Sequence, residues 1–221
     1  ALRINEWLAD NAAHDFDPTD GDSEDWLELY NPTATAVSLS GWSLSDSSPT
    51  TTNFIIPSGY SISATGRLLV WADDETVQNT GSSQLHVPFK LSNSGETLTL
   101  RAPDGTVVDT VTFGTQVENI SQGRVPEGGT TIDFLANPSA GTANTEMLAL
   151  PTATASNNAG VITFTIATTP GFTYQPQFKN ELSDAAWTNL GPAIKATAAT
   201  LSVSDNPSPQ LKRFYRAIRT P

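Results

Sequence analysis

The sequence predicts an all-β protein built as two tandem β-sandwiches, and three observations lead there. Ser and Thr make up 51 of the 221 residues, only 15 % are charged, and Val-, Thr- and aromatic-rich runs are punctuated by 15 Gly and 15 Pro. Such a composition suits short strands joined by turns. No window carries a sustained 3.6-residue apolar period, so helix is expected to be scarce. Charge also changes near residue 145: residues 1–145 hold 19 acidic and 5 basic side chains, whereas residues 146–221 hold 4 and 6. The Ala-, Thr-, Asn- and Pro-rich stretch 136–160 spans that change and reads as a domain end followed by an extended connection. The domains are therefore drawn at 1–145 and 160–221, with a linker over 146–159.

In the first domain, strand-like runs recur at 3–9, 25–31, 36–46, 54–57, 67–72, 86–91, 96–102, 107–113 and 121–126. Within DWLELYN, Leu27 and Leu29 face one way and Trp26, Glu28 and Tyr30 the other. In ETLTLRA, Leu98 and Leu100 oppose Thr97 and Thr99, and in VVDTVTF, Val107, Asp109, Val111 and Phe113 share a face. Alternation of this kind is expected where one face of a sheet is buried. Asp104-Gly105 marks a tight hairpin, because both residues tolerate positive φ, and SNSGE at 92–96 marks a second turn. The second domain repeats the pattern at 160–167, 172–178, 185–191, 200–205 and 213–219, with a thin core expected for its size.

Composition also removes whole classes of chemistry. There is no cysteine, which excludes disulfides, thiol nucleophiles and Cys-ligated zinc. Two isolated histidines, His14 and His86, and the absence of His-Glu-x-x-His, Gly-x-Ser-x-Gly or phosphate-loop motifs leave nucleophilic and zinc chemistry with almost no parts, and a hydrolase would need convergent carboxylates in a cleft between the domains. The acidic first domain repels a phosphate backbone, so no nucleic-acid partner is expected. No run approaches the ~18 apolar residues of a membrane span, so no membrane insertion is expected. The chain opens without Met, as expected of a processed or excised piece of a longer protein.

Ordered motifs in the first domain resemble the lamin-tail domain family. They are Ile4-Asn5-Glu6, the strand Asp25-Trp26-Leu27-Glu28-Leu29-Tyr30-Asn31, Leu39-Ser40-Gly41-Trp42 through Leu44-Ser45-Asp46, and Phe89-Lys90-Leu91 with Gly95-Glu96 and Leu98-x-Leu100. Asp104-Gly105-x-Val107-Val108-Asp109, Gly123-Arg124 and Asn137-Pro138-x-x-Gly141-x-x-Asn144 complete the order. The chain departs at Ser139-Ala140, where the family more often has Thr-Pro-Gly. The resemblance implies an immunoglobulin-like sandwich, common in secreted bacterial proteins, in which these positions mark the fold and do not carry catalysis. The second domain is similar to a C-terminal β-module of large secreted proteins of environmental bacteria, through Tyr174-x-x-Gln177, Leu182-x-x-x-x-Trp187 and Phe214-Tyr215-Arg216. A small immunoglobulin- or fibronectin-like sandwich is expected there.

The stretch DFDPTDGDSED at 15–25 is the one concentration of chemistry-bearing side chains. Calcium takes six to eight oxygens, and clustered Asp around a Gly turn supplies them, so Asp15, Asp17, Asp20, Asp22 and Glu24 are the candidate Ca2+ ligands. The EF-hand spacing fails, since Gly21 is seventh from Asp15 and the twelfth residue is Trp26. A solvated loop that keeps a sheet edge soluble fits the same residues. His14 adjoins the loop and could join a metal site, whereas His86 reads as a hydrogen-bonded strand residue. Trp7, Trp26 and Trp71 are the candidates for a sugar-stacking face, while Trp42 and Trp187 read as core.

Together these readings predict a non-catalytic attachment, binding or spacer module of a larger secreted or cell-surface bacterial protein. No cofactor is required, with Ca2+ at the acidic loop as the exception to test. The expected partners are other domains of the parent protein and a polysaccharide or cell-surface component, and the chain is expected to be a monomer. The alternative is a calcium-dependent carbohydrate-binding module that uses the loop 15–25.

Overall fold

The computed structural model describes residues 1–46, 53–79, 84–144, 146–207 and 212–221. The chain forms two compact units, Ala1–Leu148 and Ala149–Pro221, and among the described residues it is all-β apart from one 3-10 turn at Thr76–Gln78. Among the described residues no helix is long and apolar enough to cross a membrane.

The first unit holds β1 (Arg3–Leu8), β2 (Trp26–Tyr30), β3 (Val37–Ser38), β4 (Ser43–Ser45), β5 (Phe54–Ile55) and β6 (Ser61–Ile62). They are followed by β7 (Arg67–Ala72), β8 (Gln84–Val87), β9 (Glu96–Arg101), β10 (Val107–Phe113), β11 (Gln122–Arg124) and β12 (Ile132–Phe134). One sheet runs β12-β11-β1-β2-β7-β8 and the facing sheet runs β10-β9-β4-β5, with β3 and β6 pairing beside them. All neighbours are antiparallel except β7 and β8. The expected run 36–46 divides into β3 and β4 because Gly41 turns the chain at φ 78.

The alternation read in the sequence places the core. Leu27 and Leu29 meet Leu68, Val70, Leu98, Leu100 and Val111 between the sheets, all buried. The register of β1 against β2 shifts between Ile4 and Glu6. That bulge is why Ile4 and Trp7, an odd number of positions apart, both enter this core, leaving Glu6 and Leu8 on the opposite face. The opposite face is not open to water. Leu8, Trp26 and Trp71 form a second buried apolar cluster there, with Leu69 and Ala140 packed against it.

The second unit pairs β13 (Ala153–Asn158), β14 (Val161–Ala167) and β18 (Thr200–Asp205) in one sheet. A second sheet is built on β15 (Thr173–Lys179), with β16 (Thr188–Asn189), β17 (Ile194–Lys195) and β19 (Phe214–Thr220). Its small core holds Phe164, Ile166, Phe172 and Tyr174. Two expectations are corrected here. Residues 153–158, read as part of a linker, are strand β13, whose six residues are all exposed and which is held by its ladder to β14. Trp187, read as core, is half-buried with Lys179 and Arg216 stacked on its ring at 5.3 and 4.4 Å.

Candidate functional site

Two groups of buried polar side chains stand out in the first unit. The first gathers motif residues from distant parts of the chain onto the outer face of the six-stranded sheet. Glu6 and Glu28 are cross-strand partners on β1 and β2, and both are fully buried. Glu6 accepts hydrogen bonds from the Ser139 amide (2.8 Å) and hydroxyl (2.6 Å), while Glu28 accepts from the Gly141 amide at 2.8 Å. Asn144 donates to the carbonyls of Asn5 and Arg124, each at 3.1 Å. The segment 139–144 is thereby fastened across the sheet, and Ala140 packs on the apolar cluster beneath it.

The same network continues inward. Asp109 accepts from both Arg124 (3.1 Å) and Arg3 (3.2 Å), and from the Ile4 amide at 2.8 Å. Arg124 also donates to the carbonyls of Ile4 and Gly129. Asn5 reaches Glu28 and Glu127, each at 3.3 Å, and Arg67 pairs with Glu127. Burial pushes the Glu28 carboxyl up to about 8; the Gly141 amide, Asn5 and Arg67 draw it down, while the neighbouring Glu6 raises it further. Glu6 is raised as well, chiefly by burial, against the hydrogen bonds from the Ser139 hydroxyl and amide.

The second group lies at one end of the sandwich, where the β1–β2 loop meets the segment after β7. The loop bends at Gly21 (φ 87), with the Asp17 amide donating to the Asp22 carbonyl and the Gly21 amide to that of Asp17. This bend turns Asp17 inward and leaves Asp20 and Asp22 exposed. Asp17 Oδ1 accepts from the Thr19 amide, while Oδ2 is buried without a hydrogen-bond partner and lies 3.7 Å from His86 Nδ1. Asp73 Oδ2 sits 2.6 Å from the same nitrogen, and Asp73 Oδ1 accepts from the Glu75 amide. Asp17, Asp73 and His86 each present one ligating atom within 4.8 Å of the others, and all three are buried.

The five expected calcium ligands are therefore dispersed. Asp15 accepts from the Trp26 indole (2.9 Å) and contacts His14; Asp20 binds the Asp22 amide and Gln78; Asp22 faces solvent; Glu24 pairs with Lys90 at 3.5 Å. Among the described residues only Asp17 of the five joins a group close enough to share an ion, and its companions were missed because they lie 56 and 69 positions further along the chain. An Asp directly after one strand and a His on the next are visible in sequence, but their meeting with Asp17 is not.

The sugar-stacking reading of Trp7, Trp26 and Trp71 is also corrected, since all three are at most 1 % exposed. Trp7 stacks on Phe113 in the core, with ring centroids 5.3 Å apart. Trp26 and Trp71 fill the outer-face cluster, and the Trp71 indole donates to Gln84. An indole closed on both faces has no surface left to offer a ring of sugar.

An immunoglobulin-like sandwich whose motif residues are engaged in its own closure is a module of the binding or structural class. Residues 1–115 match the Lamin Tail Domain family, and the chain belongs to it. No curated protein matches the chain. Gly123, Arg124, Ser139 and Asn144 lie beyond the matched stretch, yet they pack on Asn5, Glu6 and Asp109 within it.

Proposed function

We propose that the chain is a non-catalytic attachment, binding or spacer module of a larger secreted or cell-surface bacterial protein. The observation that carries this reading is the state of Glu6 and Glu28. They are a fully buried cross-strand carboxylate pair, but their oxygens are occupied by Ser139, Gly141 and Asn5. General acid–base catalysis needs a carboxyl within reach of substrate, and these two face a closed segment of their own chain. The partners that fit are the other domains of the parent protein and a polysaccharide or envelope component. The test is co-sedimentation of the full chain with isolated bacterial envelopes and with insoluble polysaccharides, beside glycoside, ester and phosphodiester reporters. Retention on one matrix without turnover defines a binding module, and full recovery in the supernatant a spacer. Turnover of a reporter that Glu6→Gln abolishes would contradict both.

A further inference from the structure

We propose that Asp17, Asp73 and His86 form a divalent transition-metal site, of the kind that takes Zn2+, which pins the β1–β2 loop to strand β8 and to the segment that follows β7. The site is distinct from the calcium loop expected from the sequence, sharing only Asp17 with it. It also goes beyond the module reading above.

Three observations carry the proposal. The first is charge: the side chains of Asp17 and Asp73 are fully shielded from solvent and that of His86 is 2 % exposed. Buried carboxylates are as a rule paired with a cation or bound to a metal, and these two converge on one imidazole nitrogen. Lys90, whose backbone bridges Asp73, directs its ammonium to Glu24 instead.

The second observation is the orphan atom. Asp17 Oδ2 is fully buried, aimed at His86 Nδ1 and without a hydrogen-bond partner. Buried polar atoms are nearly always satisfied, so an orphan in an otherwise well-bonded loop marks the place of a missing partner. The third is geometry: ligands of a tetrahedral zinc at ~2.0–2.2 Å lie about 3.3 Å apart. The contacts of 2.6 and 3.7 Å at His86 Nδ1 bracket that spacing. An ion would part Asp73 from His86 by about 0.7 Å and draw Asp17 in by about 0.4 Å.

The donor set also selects the metal. One imidazole nitrogen and two carboxylate oxygens, with water to complete the shell, suit zinc or a neighbouring transition ion. Calcium, which takes six to eight oxygens, finds too few here. The second face of the loop is fixed independently, because Gln78 donates to Asp20 at 2.8 Å. The ion's role is to hold the loop closed.

The experiment titrates ZnCl2, and CaCl2 in parallel, into the chelator-stripped full chain by calorimetry, and follows both histidine side chains by NMR. The expected result is one Zn2+ per chain, bound at least 100-fold more tightly than Ca2+. The His86 imidazole signals shift and those of exposed His14 do not. Asp17→Asn keeps the Thr19 contact and the fold, and weakens Zn2+ binding at least tenfold; His14→Gln leaves it unchanged. Absence of both heat and a His86 shift in the unmutated chain overturns the proposal, with no dependence on any variant folding. Binding that survives Asp17→Asn but is lost in His14→Gln overturns it too, by placing the ion on the surface His14–Asp15 pair. Calcium bound more tightly than zinc also overturns it.

Discussion

Replacing Asp109 with Ala should be among the most damaging single changes to the first unit. The carboxylate is 6 % exposed and serves the guanidinium of Arg124, itself 7 % exposed, together with Arg3 and the Ile4 amide. Its removal leaves a buried cation without its counter-ion and an amide without its acceptor. Breaking a buried pair from one side costs about 3–5 kcal/mol, because the stranded charge can neither hydrate nor ionise differently. Two carbonyls still accept from Arg124, so the loss should fall near the middle of that range, about 4 kcal/mol. At roughly 2–4 °C per kcal/mol for a unit of this size, melting should drop by about 10 °C. Urea unfolding followed by tryptophan fluorescence reads it cleanly, since four of the five tryptophans lie in this unit. Replacing both partners, Asp109→Leu with Arg124→Met, should recover most of the loss. A cost below about 1 kcal/mol for Asp109→Ala would refute the reasoning, as it would make the pair effectively solvated.

Two further outcomes follow from the same network. Glu28 holds its proton up to about 8 in the folded chain but releases it around its ordinary 4.5 when unfolded, so the folded state binds more protons between those values. This group's contribution should therefore be fullest near pH 4.5 and decline as pH rises toward 8, by on the order of 4 kcal/mol. Glu96, raised to about 7, and Asp25, raised to about 6, act in the same direction. Melting curves at pH 5, 6.5 and 8.5 check it, and a flat or rising trend would contradict the assignment. Gly123→Ala should cost about 2 kcal/mol or more, since its Cβ would stand 2.6 Å from Asn144 Nδ2 and 2.9 Å from the Asn5 carbonyl. Denaturant midpoints of that variant beside an Ala at open Gly105, strained only by its φ of 85, separate crowding from turn strain.

Local patterns carried the strands well, and long-range closure carried them less far. Leu27 and Leu29 against Trp26 and Glu28, and Asp109 on the inner face of β10, follow from period-two alternation. The bulge after Ile4 is invisible to that alternation, which would have put Ile4 and Glu6 on one face. The outer face of β1 and β2 carries Glu6, Glu28 and Trp26, and nothing near them in the sequence marks that residues 139–144 return over it from more than a hundred positions away. Strand β13 escaped notice because both its faces are exposed, so no apolar residues mark it. The acidic loop drew attention for its charge density, yet its one buried member finds its companions in other segments of the chain. Asp109 and Arg124 were read as separate motif fragments, and the fold joins them into one ion pair.

The account rests most directly on the fastening of residues 139–144 by Glu6 and Glu28, which native-state hydrogen exchange can read at two amides. Gly141 lies in an exposed turn, but its amide is bonded to a fully buried carboxylate, as is that of Ser139. If the segment is part of the closed fold, both amides should exchange only through openings nearly as costly as unfolding of the first unit, and Glu6→Gln with Glu28→Gln should release them. Exchange at the rate of a free loop in the unmutated chain would mean the carboxylates stand open, and the module reading would lose its main support.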